Sequence, residues 1–114
     1  MNDLNSVLIE GTVIKRDELI NKDGTTVCCF SIASNRYFKK DDCFEKEILV
    51  TNIEVLSKLA ENTYNMLYKG RNVRIVGRLK QSNNNLVIEA GLIEFKPQYN
   101  IDNRDKLFFN GEDD

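Results

Sequence analysis

Ser6–Lys15 reads SVLIEGTVIK, a run of mostly apolar and β-branched residues with Gly11 in its middle. β-Branched residues favour strands, and a glycine inside a strand often marks a sharp bend or a bulge. This segment therefore predicts a long first strand with a bend at Gly11.

Four further strands are predicted downstream of this segment. The dipeptide Asp23–Gly24 is typical of a hairpin turn, and a polar turn is predicted at Gln81–Asn85. Asn35–Asp42 is too highly charged to be buried, so it is predicted to be a loop or the extended tip of a hairpin. The strands are rich in β-branched and aromatic residues and are predicted at Thr25–Ser34, Phe44–Ile53, Asn72–Leu79 and Leu86–Phe95.

One amphipathic helix is predicted between the third and fourth strands. Its apolar stripe follows the i, i+3, i+4, i+7 spacing of one helical face. Ser57 is predicted to cap its start, and Lys69 followed by Gly70 is predicted to mark its end. The stripe consists of Leu56, Leu59, Ala60, Thr63, Tyr64 and Leu67.

The predicted order of elements is strand, strand, strand, helix, strand, strand. Together with a bent first strand, this order fits an all-β domain with one helix, the five-stranded Greek-key barrel called the OB fold. A β-grasp fold is the alternative, although it normally reaches its helix after two strands. Residues 1–97 are predicted to form the barrel domain, and residues 98–114 are predicted to form a short acidic C-terminal tail.

The composition excludes several classes of function. The chain of 114 residues contains no histidine, which excludes Ser-His-Asp sites, Cys-His sites and histidine-containing zinc sites. The three cysteines, Cys28, Cys29 and Cys43, form no Cys-x-x-Cys motif and fit a reducing compartment. We therefore expect no enzyme activity, no metal and no cofactor.

No membrane-spanning segment is expected either. The longest run without a charge, Gly24–Asn35, has 12 residues, whereas about 20 are needed to span a bilayer. The first residues are polar and acidic, unlike a signal peptide. The expected location is therefore the cytoplasm.

One segment combines the residue types that bind nucleic acid. An OB barrel binds oligonucleotides across its second and third strands. Single strands require cations for the phosphates and flat side chains for the unstacked bases. The segment Arg36-Tyr37-Phe38-Lys39-Lys40 offers both at the junction of these strands. The alternative is a solvated hairpin tip whose aromatic side chains fold back.

A second group of cations shares the polar side of the fourth strand. It could form a stripe that follows phosphates, or a solvated face paired with glutamates of the fifth strand. The cations are Arg74, Arg78 and Lys80, and the glutamates are Glu89 and Glu94. Lys58 and Lys69 flank the helix, where a lysine near the C-terminus is often only a partner of the helix dipole.

Five short motifs resemble those of the bacterial single-stranded DNA-binding protein family. They follow one another in the family's order over about residues 5–96. The motifs are Asn5–Gly11 (NSVLIEG), Phe30–Arg36 (FSIASNR), Ser57–Glu61 (SKLAE), Met66–Gly70 (MLYKG) and Val73–Leu79 (VRIVGRL). The resemblance implies the OB fold, sequence-tolerant binding of single-stranded DNA in replication, repair and recombination, and a homotetramer.

The resemblance also implies roles for individual residues. Phe38 lies where the family places a stacking aromatic residue. Three positions align with basic residues that contact the DNA backbone in the family: Lys58, Lys69 and Lys80. Two further aromatic positions are Val50 and Leu56 here, so we expect weaker binding or a shorter site. The tail holds aromatic residues beside acidic ones, as does the family's segment that recruits replication and repair proteins, but in inverted order.

The sequence therefore predicts a non-catalytic protein of the cytoplasm and nucleoid that binds single-stranded DNA. One alternative resembles a primosomal replication protein, a dimer that bridges DNA and a helicase. Another is a protein-interaction module that keeps the barrel and has lost DNA binding. The predicted DNA-binding residues are Arg36, Tyr37, Phe38, Lys39, Lys40, Lys58, Lys69, Arg74, Arg78 and Lys80.

Overall fold

The computed structural model describes residues 1–97, so the predicted tail at residues 98–114 lies outside the described residues. Six strands and one helix follow one another along this part of the chain. They are β1 (Val7–Arg16), β2 (Ile20–Lys22), β3 (Thr25–Lys40), β4 (Cys43–Leu56), α1 (Ser57–Met66), β5 (Asn72–Ser82) and β6 (Asn85–Phe95). The short β2 was not predicted; it pairs with the start of β3 through the Asp23–Gly24 turn.

The strands close into the predicted five-stranded barrel. The sheet order is β1-β5-β6-β4-β3-β2, and an additional pairing between β1 and β3 closes the ring. Strand β1 closes it by pairing with β5 along Val7–Thr12 and with β3 along Thr12–Arg16. At Gly11, where the two pairings meet, a Cβ atom would lie 2.8 Å from the carbonyl oxygen of Ala33. Glycine therefore allows β1 to approach β3 closely enough to close the barrel.

The barrel interior is filled by large apolar side chains from every long strand. The most deeply buried ones alternate along their strands, as expected for a sheet with one face in the core. They include Val13, Cys28, Phe30, Ile32, Ile53, Val55, Val73 and Ile75. Burial raises the pKa of the Cys28 thiol to about 11, which makes it an unreactive core residue.

The predicted stripe faces the core, with Ala60, Thr63 and Leu67 buried and its other members partly buried, but α1 begins and ends differently from the prediction. Ser57 does not cap it: Leu56 occupies the N-cap position without a side-chain hydrogen bond, and Ser57 is the first helical residue with a φ of 62°. The helix ends at Met66 rather than at Lys69–Gly70, because Leu67 turns to extended backbone and is buried in the core.

A distant arginine binds the C-terminal end of this helix. Arg16 donates hydrogen bonds to the backbone carbonyls of Tyr64 and Leu67 at 3.3 and 3.2 Å. Its guanidinium also lies 4.2 Å from the centre of the Tyr64 ring. A cation at this end satisfies free carbonyls and the helix dipole, so β1 and α1 are joined where the helix stops.

Strands β3 and β4 extend well beyond the predicted strand ends. Asn35–Asp42 is the extended tip of a hairpin, and β3 continues to Lys40. The turn consists of Asp41 and Asp42, with φ values of 51° and 66°, as two-residue hairpin turns require. The turn between β5 and β6 is equally tight, with Asn83 and Asn84 at φ 50° and 69°.

Two findings apply to residues 1–97 only. None of the groups of cysteine, aspartate and glutamate side chains there could hold a metal ion. The same residues include no helix long and apolar enough to cross a membrane.

Candidate nucleic-acid interface

A two-stranded ribbon projects from the barrel between β3 and β4. Over residues 34–49, which we call the hairpin, the two strands pair with each other without an irregularity. Within the described chain, β4 pairs with β6 only at Ile53 and Glu54. Because β1 pairs with β3 only as far as Ala33, the hairpin pairs with no other strand of residues 1–97.

The predicted segment Arg36–Lys40 lies on this hairpin, but its side chains divide between two faces. Successive side chains of a strand point to opposite sides, and residues directly opposite each other on paired strands share a side. Even-numbered β3 residues continue the line of Phe30 and Ile32 from the barrel interior. This inner face carries Arg36, Phe38, Lys40, Cys43, Glu45 and Glu47, and the outer face carries Tyr37, Lys39, Phe44 and Lys46.

The inner face contains the tighter contacts. Arg36 lies 3.6 Å from Glu47 in an exposed ion pair. Its guanidinium also lies 4.7 Å from the centre of the Phe38 ring. Phe38 is partly buried and lies outside the hydrophobic core of the barrel. Its ring therefore already has a cation over it.

The outer face contains the more exposed rings. Tyr37 is 68% exposed and Phe44 is 83% exposed. Lys46, opposite Tyr37, has its ammonium 5.9 Å from the centre of the tyrosine ring. Lys39 forms a 3.8 Å pair with Asp42 in the turn, and both side chains are largely solvated, so this pair contributes little stability.

The cations of β5 are all paired with carboxylates, as the alternative interpretation anticipated. Arg74 contacts Glu10 and, at 3.5 Å, Glu94. Lys96 also contacts Glu10, and hydrogen bonds from both cations lower the pKa of Glu10 below its ordinary value. This group of two cations and two carboxylates has no net charge.

A second neutral group lies further along β5. Arg78 contacts Glu89 at 3.2 Å, and Lys80 contacts Glu54 at 2.5 Å and Glu89 at 3.2 Å. Hydrogen bonds to these carboxylates raise the pKa of Lys80. A phosphate that approaches Arg78 or Lys80 must therefore compete with glutamates already in contact.

The two lysines next to the helix lie apart from the hairpin tip. Lys58 is the second residue of α1, which begins at the barrel end of β4. Lys69 follows α1, and neither lysine forms an ion pair within residues 1–97. Arg36–Lys40 thus lie together on the hairpin, whereas Lys58 lies on α1 at the opposite end of β4.

Sequence reasoning missed one residue of this surface and undervalued another. Lys46 was not predicted, and Phe44 was predicted only as the first residue of the third strand. The signal is the alternation Phe44-Glu45-Lys46-Glu47, which places a ring and a cation on one face of a strand and two carboxylates on the other. Pairing with β3 then sets Phe44 opposite Lys39.

Comparison with known proteins identifies relatives of the chain. The model of the "Single-strand binding protein family" matches residues 4–88. A single-stranded DNA-binding protein of Borreliella burgdorferi is 36% identical over 81 residues, which cover 70% of this chain and 54% of that protein. The chain spans about half the length of the curated relatives it matches.

Solved structures share the fold. A deletion mutant of the single-stranded DNA binding protein from Thermus aquaticus superimposes with a TM-score of 0.72 at 20% identity, covering 82% of this chain and 51% of that one. The protein priB from Ralstonia solanacearum has a TM-score of 0.68 at 13% identity, covering 82% of this chain and 100% of that one. These similarities confirm the predicted OB fold. Because the family model matches most of its length, the chain belongs to the single-strand binding protein family.

Proposed function

We propose that the chain binds single-stranded DNA of any sequence and protects it during replication, repair and recombination. Family membership supports this proposal. The observation that carries it is the hairpin, where exposed aromatic rings and lysines lie side by side on an element free of the barrel. This is the combination that single strands require.

The proposed mechanism is binding without catalysis. Cations contact phosphates, and rings accept bases that are unstacked in a single strand. Stacking tolerates any sequence because every base has a flat face. The proposed site contains Arg36, Tyr37, Phe38, Lys39 and Lys40, with Lys58 and Lys69 as outlying phosphate contacts. Arg74, Arg78 and Lys80 join it only where phosphate displaces their carboxylate partners.

Fluorescence anisotropy of a labelled dT oligonucleotide of about 16 nucleotides, the upper end of site sizes for one OB fold, tests this function. A duplex of the same length is the control. We expect the single strand to bind much more tightly than the duplex at low salt. No binding, or equal binding of the two, would contradict the proposal and favour a protein-interaction module.

We also propose that the chain assembles into a homotetramer, with a dimer as the alternative. The outward residues Leu8, Val76 and Leu92 lie opposite one another across β1, β5 and β6, and Leu8 and Leu92 are exposed. Such an apolar row is suited to burial against another copy. Light scattering is expected to give the mass of four chains; a single-chain mass would contradict assembly.

Two further proposals depend on the family resemblance. The acidic segment at residues 98–114 would recruit replication or repair proteins, and the protein would act in the cytoplasm on nucleoid DNA.

A further inference from the structure

The two faces of the hairpin differ in charge. On the inner face, Arg36 and Lys40 are balanced by Glu45 and Glu47. On the outer face, Lys39 and Lys46 share the surface with Tyr37 and Phe44, and none of these four positions carries a carboxylate. Lys39 does pair with Asp42 of the turn, but both side chains are largely solvated, so a phosphate can replace this partner at little cost. A polyanion is therefore attracted to the outer face more strongly than to the inner face.

The faces also differ in how available their rings are. The Phe38 ring on the inner face is partly buried and has the Arg36 guanidinium over it at 4.7 Å. On the outer face, the Lys46 ammonium lies 5.9 Å from the Tyr37 ring centre, near the limit of about 6 Å for such an interaction. Tyr37 and Phe44 thus offer a base more open surface than Phe38 does.

The outer face continues onto the outside of the barrel. Moving from the tip, Tyr37 and Lys46 are followed by the opposed pair Asn35 and Ile48, and then by Ala33 and Val50. Ile48 and Val50 are exposed despite being aliphatic. The inner face carries Leu49, which is equally exposed, and then runs into the buried core at Ile32. A strand of nucleic acid can therefore extend along the outer face from the hairpin tip to the barrel without a break.

From these three differences we infer that bases stack mainly on Tyr37 and Phe44, with Lys39 and Lys46 holding the adjoining phosphates, whereas Phe38 contributes less to stacking because Arg36 already lies over its ring. This inference rests on the proposed function, because it names the binding face for the same ligand. The family resemblance places a stacking aromatic residue at Phe38, whereas this inference assigns the main stacking role to Tyr37 and Phe44.

Alanine variants on the two faces test this assignment. Tyr37→Ala and Phe44→Ala are each expected to lower the affinity for the dT oligonucleotide by about 5-fold to 150-fold, as loss of one stacked base predicts. Phe38→Ala, on the opposite face of the same hairpin, is the comparison: because Arg36 already lies over its ring, it is expected to lower the affinity by less than about threefold, a smaller loss than in either outer-face variant. Tyr37→Phe keeps the ring and is expected to retain wild-type affinity within about twofold.

The outcomes separate this inference from the proposed function. A larger loss for Phe38→Ala than for Tyr37→Ala and Phe44→Ala would overturn the inference, as would unchanged affinity in all three variants. In both cases, tight wild-type binding would leave the proposed function standing. Failure of the wild-type chain to bind dT would overturn both. Circular dichroism shows whether each variant is folded, and full affinity of Tyr37→Phe beside weak binding of Tyr37→Ala would support the inference.

Discussion

Phe30→Ala is expected to lower the free energy of unfolding by about 3–5 kcal/mol. Phe30 is 2% exposed and is one of the largest side chains of the barrel core. It lies opposite Arg16 of β1 and Ile53 of β4, so its removal leaves a cavity where three strands meet. Strands paired on both sides cannot collapse far into that space. The loss would be a large fraction of a typical domain stability of about 5–15 kcal/mol.

Urea denaturation followed by circular dichroism, at one protomer concentration, measures this effect. Phe44→Ala is the matched control, because it removes the same atoms from a ring that is 83% exposed at the hairpin tip. We expect it to change the free energy of unfolding by no more than about 0.5 kcal/mol. Equal losses in the two variants would mean that Phe30 is not a core residue.

The order of strands and helix was predictable because each element carries its own periodic pattern. Ala60 and Thr63 of the helical stripe are buried as its spacing predicted, and Leu67 is buried just beyond the end of the helix. Gly11 marked the place where β1 exchanges one partner strand for another. The helical spacing and the glycine within a strand can be recognised from residues close together in the sequence, so these features were predictable.

The ends of the helix were not predictable because they depend on distant residues. The carbonyls at its end bind Arg16, about 50 positions earlier in the chain. At its start, Leu56 leaves β4 as extended backbone, so Ser57 enters the first turn instead of capping it. The capping propensity of Ser57 does not show that the preceding residue, Leu56, is the last residue of a strand and therefore occupies the N-cap position itself.

The residue types of the binding segment were predictable, but the faces of the hairpin on which its side chains lie were not. Composition alone identified Arg36–Lys40 as aromatic and cationic. Its division into two faces, and the addition of Phe44 and Lys46, required the register between β3 and β4. The pairing of Arg74 with Glu94 was predictable because their strands follow each other along the chain. The contact of Arg74 with Glu10 was not, because Glu10 lies on β1, 64 residues earlier in the sequence.

The double variant Lys39→Gln/Lys46→Gln is expected to reduce the salt dependence of DNA binding. Each phosphate contact on a single strand contributes about 0.7 to the slope of log affinity against log salt concentration. Removing the two lysines of the outer face should therefore make the slope shallower by about 1.4. Between about 50 and 200 mM salt, the variant should lose about sevenfold less affinity than the wild-type chain.

The control variant is Lys15→Gln/Lys96→Gln, which changes the net charge by the same amount. Lys15 pairs with Asp17 and Lys96 with Glu10, and both lie outside the proposed site. If the slope follows overall charge rather than local contact, the two variants should behave alike.

The most direct measurement is therefore the affinity of the wild-type chain and these two double variants for dT across a series of salt concentrations. We expect a slope shallower by about 1.4 for Lys39→Gln/Lys46→Gln and an unchanged slope for Lys15→Gln/Lys96→Gln. Equal slopes for all three proteins would contradict the claim that single-stranded DNA binds along the hairpin.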